Sequence, residues 1–326
     1  MIPTYTEVST SSPKLRPIGQ YISPRYWPIW VFYGFLRLVA KLPFSWQIAI
    51  GTSLGKLSYL IAKDRRDATE VNLRLCFPEL SDNDRQQLVK KTFISNGIGL
   101  VEIAMAWFGD RGRFDNRIAI TGLSNFEAAK ASGRGVLLLG AHFSTLEMGG
   151  LLFNTVAELD ATYRPNDNPF FDAIMYNGRK RNVSNLFDRK NIRQAMKSLK
   201  AGRVLWYAPD QDYGPKNSVF APFFGNEAAT ITATTRYASF NKSPVVFFSH
   251  YRNEDNSGYN IHFSPAIENY PTGDDVKDAT IINLAIETAI RKHPDQYLWL
   301  HKRFKTQRAG DKARPYNDKK AQLARE

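Results

Sequence analysis

The spacing of hydrophobic residues changes along the chain and divides it into two parts. Before residue 110, apolar side chains recur at helical spacing, which predicts helices over 44–62, over 64–76 and from Ser81 to about residue 108. After residue 117, short continuous apolar runs alternate with helical stretches. Such short runs are typical of strands that are buried on both faces of a sheet.

Seven of these runs are predicted strands: Ile118–Thr121, Val136–Leu139, Asp160–Tyr163, Val204–Tyr207, Pro244–Ser249, Asn260–Phe263 and Tyr297–Leu300. The helices predicted among them are Asn125–Ser132, Ser144–Val156, Asn168–Arg181, Ile192–Lys200, Ala228–Phe240 and Thr280–Lys292. Strands separated by helices of this length predict an α/β fold with a mainly parallel, mixed sheet that is flanked by helices.

An earlier apolar run, residues 26–40, has aromatic residues at its start and Arg37 as its only charge. A bilayer span needs roughly 20 apolar residues, so this run is short. Aromatic residues and end-of-run cations suit a membrane–water interface. We therefore predict a membrane-anchoring helix over 24–43, which spans the bilayer or lies in the interface plane. A buried core helix is the alternative. The excess of Lys and Arg after it predicts that the following domain lies in the cytoplasm.

Both ends of the chain are polar. Residues 1–23 are rich in Ser, Thr and Pro without periodicity, which predicts a flexible tail and no signal peptide. Residues 308–326 are charged and lack large apolar clusters, which predicts a disordered polar tail.

Composition narrows the possible functions of the 326-residue chain. With 44 Lys and Arg against 31 Asp and Glu, the formal net charge is +13, which favours an anionic partner. Aromatic residues make up 13% of the chain, as suits a membrane interface or single-stranded nucleic acid. Cys76 is the only cysteine, which excludes an intrachain disulfide and cysteine-rich zinc sites. The sequence contains neither a metal site nor a nucleotide loop, so we expect no cofactor.

The most informative stretch runs from Val136 to Gly150 and contains His142 and Glu147. His142 follows a buried strand and precedes a helix, at the strand end where open α/β sheets bind ligands. Residues five apart in one helix point roughly 140° apart. His142 and Glu147 can therefore meet only if His142 lies in the loop and Glu147 in the first turn. Glu147 would then fix the imidazole tautomer, and the other ring nitrogen could deprotonate a hydroxyl.

Two simpler readings compete with this pair. Ser144-Thr-Leu-Glu147 also fits a capping box, in which Glu147 serves only the helix N-terminus. His250 and Asp255 share the same spacing, but a polar turn rather than a helix follows His250. The strand–turn–helix context favours His142 over His250.

At this point the sequence resembles the glycerolipid and lysophospholipid acyltransferases, and within them the late acyltransferases of lipid A biosynthesis. The resemblance covers residues 24–305. It is carried by Arg74-Leu-Cys-Phe-Pro-Glu-Leu80, Gly140-Ala-His-Phe-Ser-Thr-Leu-Glu147, Tyr163-Arg-Pro-Asn-Asp-Asn-Pro169, Asp210-Gln-Asp-Tyr-Gly214, Phe220-Ala-Pro-Phe-Phe-Gly225 and Tyr297-Leu-Trp-Leu-His-Lys-Arg303.

The resemblance implies an acyltransferase domain over 44–307. It implies acyl transfer from acyl carrier protein to a hydroxyl on a 3-hydroxyacyl chain of a Kdo-bearing, anionic lipid A precursor. It places the enzyme at the cytoplasmic face of the bacterial inner membrane. His142 would be the general base, Glu147 its orienting partner and Arg164 the residue that holds an anionic head group. Many relatives in the wider superfamily carry Asp where this chain has Glu147.

Further candidates for substrate binding are identified by their positions after predicted strands or at a predicted helix end. Arg164 follows a predicted strand, where a guanidinium can hold a phosphate or carboxylate. Asp210 and Gln211 follow the strand 204–207 and could bind sugar hydroxyls or only cap a turn. Arg181 adds positive charge to a predicted helix end. Lys302, Arg303 and Lys305 could meet the acidic carrier protein, although a solvated terminus explains them equally well.

Two other functions remain open from the sequence. A lysophospholipid or glycerophosphate acyltransferase would share the same motifs, and only the acceptor would differ. A non-enzymatic basic membrane or nucleic-acid binder would also explain the charge. No signature of RNA or DNA binding supports a nucleic-acid partner.

Overall fold

The computed structural model describes residues 15–308 and 314–316. Ten α-helices lie in this part of the chain: α1 (Trp27–Val39), α2 (Phe44–Ile61), α3 (Lys63–Cys76), α4 (Asp82–Phe108), α5 (Leu123–Ala131), α6 (Leu146–Phe153), α7 (Pro169–Arg179), α8 (Ile192–Lys200), α9 (Ala233–Asn241) and α10 (Asp275–Lys292). The same part has nine strands: β1 (Ile118–Thr121), β2 (Val136–Leu139), β3 (Asp160–Tyr163), β4 (Asn185–Asp188), β5 (Val204–Tyr207), β6 (Ser218–Phe223), β7 (Asn226–Ile231), β8 (Val245–Arg252) and β9 (Tyr259–Ala266). Short 3-10 turns occupy Pro24–Tyr26, Arg111–Phe114 and Pro294–Gln296.

Seven strands form one sheet in the order β1-β9-β8-β2-β5-β3-β4. Neighbouring strands are parallel except for β8 and β9, which are antiparallel. Strands β6 and β7 form a separate antiparallel pair. The structure confirms the predicted α/β fold with a mainly parallel, mixed sheet flanked by helices.

The central strand β2 separates two hydrophobic cores because successive side chains of a strand point to opposite faces. Val136 and Leu138 belong to the core that α1, α5, α6 and α7 cover. Leu137 and Leu139 belong to the core that α3, α8, α9 and α10 cover. All four side chains are fully buried. This burial explains the uninterrupted apolar run in the sequence.

Helix α4 supports the N-terminal helices through a glycine contact. Gly97 of α4 faces Gly51 and Gly55 of α2, and a Cβ on any of the three would collide with the backbone of the other helix. The small residues therefore let the two helices approach closely. They fix α2, and with it the N-terminal region, on the domain.

Two predicted elements are wrong. Tyr297–Leu300 is not a strand, because only an isolated bridge joins Tyr297 to Phe143. The predicted helix Ala228–Phe240 begins only at Ala233, because residues up to Ile231 pair with β6 as strand β7. The sequence prediction missed both β6 and the edge strand β4.

The predicted membrane-anchoring helix 24–43 contains α1, which is 13 residues long. None of the helices in the described ranges has both the length and the apolar content to cross a bilayer. The single span that the sequence suggested is therefore not found.

The predicted tail over 1–23 falls only partly within the described residues. Its described portion packs on the domain, since Ile18 and Tyr21 contact the core. Arg16 pairs with Asp172 of α7, and its guanidinium donates to the Tyr163 hydroxyl at 2.7 Å. Residues 1–14 and most of the predicted tail 308–326 lie outside the described residues.

Candidate active site

A cavity of about 740 Å³ opens where β2, β3 and β5 end. This volume is within the range of small-molecule sites in proteins. His142, Arg164 and Gln211 line it, and each follows one of these three strands. Its apolar lining includes Leu146, Leu159, Met175, Leu186, Trp206 and Phe248. The carboxyl edge of the sheet thus carries an apolar cavity, and His142, Arg164 and Gln211 lie at the strand ends where the sequence predicted them.

His142, which lines this cavity, is hydrogen bonded to the buried Asp210 behind it. His142 Nδ1 lies 2.6 Å from Asp210 Oδ1, and the backbone N–H of His142 donates to Asp210 Oδ2 at 2.8 Å. The sheet register explains the contact: Leu139 and Tyr207 are partners on β2 and β5, and His142 and Asp210 each follow three residues later.

The Asp210 carboxylate is buried but ionised. Burial alone would raise its pKa, but the charge interaction and the hydrogen bonds with His142 hold the pKa below its ordinary value. An ionised carboxylate accepts hydrogen bonds only, so Nδ1 of His142 carries the proton. In the neutral ring, Nε2 is therefore the nitrogen without a proton. This is the state that a general base requires.

The predicted hydrogen bond between Glu147 and His142 is not formed. Glu147 Oε1 accepts from Nε and Nη2 of Arg179 at 2.8 and 2.6 Å. Its Oε2 accepts from the Trp107 indole at 2.8 Å. Glu147 lies in the first turn of α6, as predicted, but its carboxylate is directed to α7 and α4. The structure therefore corrects the partner of His142 from Glu147 to Asp210.

The capping-box alternative for Glu147 is also wrong. Helix α6 begins at Leu146, and its N-cap residue, Thr145, makes no side-chain capping bond. The buried Ser144 hydroxyl has no hydrogen-bond partner. The carboxylate of Glu147 is instead used to hold Arg179.

His250 lines the same cavity but does not pair with Asp255. The Thr145 hydroxyl donates to the His250 carbonyl at 2.9 Å and lies 2.8 Å from His250 Nδ1. Because that hydroxyl has one proton, Nδ1 donates to it and Nε2 is left as an acceptor. Burial lowers the pKa of His250 to about 3, so the ring is neutral. Asp255 lies in an exposed turn and accepts from the Ser257 backbone.

Arg164 and Gln211 are both at the cavity, as expected for substrate-binding residues. The Arg164 side chain is 57% exposed, and its Nη2 donates to both carboxylate oxygens of Asp167 at 3.0 and 3.1 Å. An exposed pair of this kind is weak, so a bound anion can compete with Asp167.

The side chains of Arg181 and Arg303 instead donate hydrogen bonds to backbone carbonyl groups of the protein. Arg181 donates to the carbonyls of Trp107 and Gly109 at 2.5 and 3.1 Å, and so closes the C-terminal end of α4. Burial lowers its pKa, with a further contribution from Arg111. Arg181 does not line the cavity. Arg303 is buried and donates to the Ala229 carbonyl.

The charged residues that line the cavity are mostly basic. They are Arg164, Arg179, Arg189, Lys190, Lys216 and a single acid, Glu147. Since Glu147 is paired with Arg179, the cavity favours an anionic ligand. In the part of the chain that the structure describes, no group of three or more His, Cys, Asp or Glu could hold a metal ion.

The sequence interpretation assigned no role to Arg179, yet this residue contacts Glu147. A signal was present, since Arg179 is four residues after Met175, which faces the core. Residues four apart share a helix face, so Arg179 points inward whereas Arg181 lies beyond the helix end.

Residues 19–306 match the family described as bacterial lipid A biosynthesis acyltransferases. A lipid A biosynthesis lauroyltransferase of Escherichia coli (strain K12) is 41% identical over 290 residues, which are 89% of this chain and 95% of that protein. A palmitoleoyltransferase of lipid A biosynthesis from the same strain is 37% identical over 92% of this chain and 98% of its own length. A lipid A biosynthesis myristoyltransferase from that strain is 26% identical over 91% of this chain and 92% of its own length. Among solved structures, a 1-acyl-sn-glycerophosphate acyltransferase from Thermotoga maritima has a TM-score of 0.34 at 13% identity, covering 74% of this chain and 97% of that chain.

Proposed function

The chain belongs to the bacterial lipid A biosynthesis acyltransferases, and from that premise we propose its donor, acceptor and catalytic residues. The donor is an acyl chain on acyl carrier protein. The acceptor is a hydroxyl of a 3-hydroxyacyl chain on a Kdo-bearing, anionic lipid A precursor. The reaction takes place at the cytoplasmic face of the bacterial inner membrane. The observation that carries the chemistry is the His142–Asp210 pair at the end of the central strand.

His142 acts as the general base. Asp210 holds the proton on Nδ1 and leaves Nε2 free to accept the proton of the acceptor hydroxyl. The hydroxyl oxygen attacks the thioester carbonyl as its proton moves to Nε2. The C–O bond forms and the C–S bond breaks, and the proton on His142 then passes to the departing thiolate. No covalent enzyme intermediate is needed.

Glu147 serves this reaction through Arg179. Two nitrogens of the guanidinium bind Glu147, and Nη1 has no hydrogen-bond partner among the described residues. Because Arg179 lines the cavity, Nη1 is available to a negatively charged oxygen. A guanidinium fixed in this way stabilises negative charge on the acceptor or on the reacting carbonyl without reorganising. Arg164 and Gln211 provide further polar contacts at the cavity.

The N-terminal helices support attachment to a membrane. Trp27, Val31 and Leu38 are 61%, 74% and 63% exposed and lie on one face of α1. On α2, the exposed apolar residues are Trp46, Leu57, Leu60 and Ile61. Exposed apolar stripes flanked by cations, here Arg25, Arg37, Lys41 and Lys56, are typical of helices that lie in the membrane interface. We therefore favour an interfacial anchor formed by α1 and α2.

Acyl transfer by the purified enzyme tests the proposed donor and acceptor. Acyl carrier protein loaded with saturated chains of several lengths is supplied with either a Kdo-bearing lipid A precursor or lysophosphatidic acid. We expect transfer to the lipid A precursor and little to lysophosphatidic acid. Preferred transfer to lysophosphatidic acid would contradict the proposal and favour a glycerophosphate-type acyltransferase.

A further inference from the structure

We propose that the outer surface of α8 and α9 is the docking surface for the acidic carrier protein that delivers the acyl chain. This inference rests on the proposed donor and adds the place where it binds. We call this surface the α8–α9 face. It is defined by the exposed residues Arg193, Lys197 and Lys200 of α8, Arg236 and Phe240 of α9, and Lys242 at the end of α9.

The charged residues of the α8–α9 face are all positive. Arg193, Lys197 and Lys200 are spaced by four and three residues, so they lie on one side of α8. Neither α8 nor α9 contains an Asp or a Glu. The two helices pack against each other, which brings their cations onto one surface. A surface of this kind attracts a negatively charged partner and speeds its association.

These cations are not used to hold the protein together. Among the ion pairs of the described residues, none involves Arg193, Lys197, Lys200, Arg236 or Lys242. In contrast, Arg203, which closely follows α8, is bound to Glu158 and Asp160 at 2.9 and 2.7 Å. The unpaired cations of the α8–α9 face are therefore available to carboxylates of a partner.

The helices that carry the α8–α9 face form part of the wall of the cavity that His142 lines. Ile192 of α8 and Ala233 and Tyr237 of α9 line the cavity from the inner side of these helices. Lys190 and Arg189 immediately precede α8 and lie in the cavity wall. A carrier protein bound to the outer side would hold its thioester arm near this part of the cavity.

The position of the face favours a protein over the membrane. Ala195 and Leu199 of α8 are buried in one core of the domain, whereas Leu36 and Val39 of α1 are buried in the other. These cores lie on opposite faces of the sheet, so α8 and α1 cover opposite sides of the domain. With α1 at the membrane interface, the α8–α9 face is directed to a partner in solution.

Charge reversal tests the docking surface. The variant Arg193→Glu/Lys197→Glu should raise KM for acyl carrier protein substrate by about tenfold at low salt, because long-range attraction is lost. Its kcat should stay within about twofold, and high salt should reduce the difference from wild type by screening. Transfer from an acyl N-acetylcysteamine thioester, which carries no protein, should be unchanged.

Two control variants and a vesicle-binding measurement isolate the effect of the charge reversal on KM. Lys130→Glu/Lys277→Glu makes the same charge change on α5 and α10, which do not line the cavity, and should keep the wild-type KM. Arg193→Lys/Lys197→Arg keeps the positive charge and should also keep the wild-type KM. Binding to vesicles of phosphatidylethanolamine and phosphatidylglycerol should be the same for the reversed variant and wild type.

Several results would overturn the docking surface. A wild-type KM for acyl carrier protein in Arg193→Glu/Lys197→Glu would do so. An equal loss of activity with the acyl N-acetylcysteamine thioester would do so as well. Weaker vesicle binding with an unchanged KM would assign the face to anionic lipid instead. A wild-type enzyme that transfers from the small thioester but not from carrier protein would overturn the proposed donor and, with it, this surface.

Discussion

His142 donates two hydrogen bonds to the carboxylate of Asp210, one from ring Nδ1 at 2.6 Å and one from its backbone N–H at 2.8 Å. The two bonds fix both the ring and the loop that carries it. The orienting carboxylate therefore comes from the neighbouring strand and not from the helix that follows His142. The residue five positions after His142, Glu147, has a different partner.

The Glu147–Arg179 pair gives a prediction about kinetics. Glu147→Gln should lower kcat by about 10- to 100-fold, because Arg179 is no longer held in place for charge stabilisation. Arg179→Met should lower it at least as much. The double variant should be no slower than Arg179→Met alone, since the two residues act as a unit. Steady-state kinetics of the three variants measure this coupling, and multiplicative losses would show that Glu147 acts independently of Arg179.

The exposed stripe of α1 gives a prediction about membrane binding. Trp27→Ser/Val31→Asp should weaken cosedimentation with lipid vesicles about tenfold or more, because it removes apolar surface from the bilayer. The melting temperature should change little, since both side chains are exposed. Val276→Asp on α10, which changes a 47% exposed valine, is the matched control. Equal vesicle binding by all three proteins would exclude α1 as the anchor.

The buried Arg252–Glu102 pair gives a prediction about stability. Arg252 Nη1 lies 2.7 Å from Glu102 Oε1, and the two side chains are only 3% and 1% exposed. Arg252→Met should lower the free energy of unfolding by about 3–5 kcal/mol, because it leaves a buried carboxylate uncompensated. Arg252→Met/Glu102→Met should recover much of that loss. Urea unfolding monitored by circular dichroism measures both effects. A single variant that loses less than about 1 kcal/mol would show that the pair is not needed.

The buried His250 gives a prediction about pH. Burial lowers its pKa from 6.5 to about 3 in the folded protein. Below pH 6.5 the unfolded chain gains a proton at this position and the folded protein does not. The free energy of unfolding should therefore fall as the pH drops toward 3, by up to about 1.4 kcal/mol per pH unit from this group.

The variant His250→Gln isolates this contribution, because glutamine does not titrate. Between pH 6.5 and 3 its stability should depend less steeply on pH than that of wild type. His262→Gln, at a less buried position on β9, should change the slope less. If His250→Gln kept the wild-type slope, the buried neutral state of His250 would be contradicted.

The sequence predicted the sheet well because its central strands are buried on both faces. The run Val136–Leu139 has no polar residue, as is typical of a strand buried on both faces. Strand β4 was missed because it lies at the sheet edge and its side chains are only partly buried. The helix predicted over Ala228–Phe240 failed because pairing with β6, a long-range interaction, overrides local propensity.

The candidate site was predicted only in part, because its contacts also depend on long-range pairing between strands. The place of His142 follows from local order along the chain: strand, turn and helix. Its partner depends on which strand is next to β2, and the order β2-β5 is not visible in spacing. Local order along the chain therefore predicts a substrate-binding role for Asp210 and makes Glu147 the expected partner of His142. Neither the direction of the Glu147 side chain nor its bond to Arg179 could be read from a five-residue interval.

The most direct test of the proposed mechanism is a kinetic cycle of His142 and Asp210. Acyl transfer from carrier protein to the lipid A precursor is measured for wild type, His142→Ala, Asp210→Asn and the double variant. We expect His142→Ala to nearly abolish kcat. Asp210→Asn should lower kcat by about 10²–10⁴-fold, and the double variant should be no slower than His142→Ala. Wild-type turnover in Asp210→Asn, or appreciable turnover in His142→Ala, would contradict this mechanism.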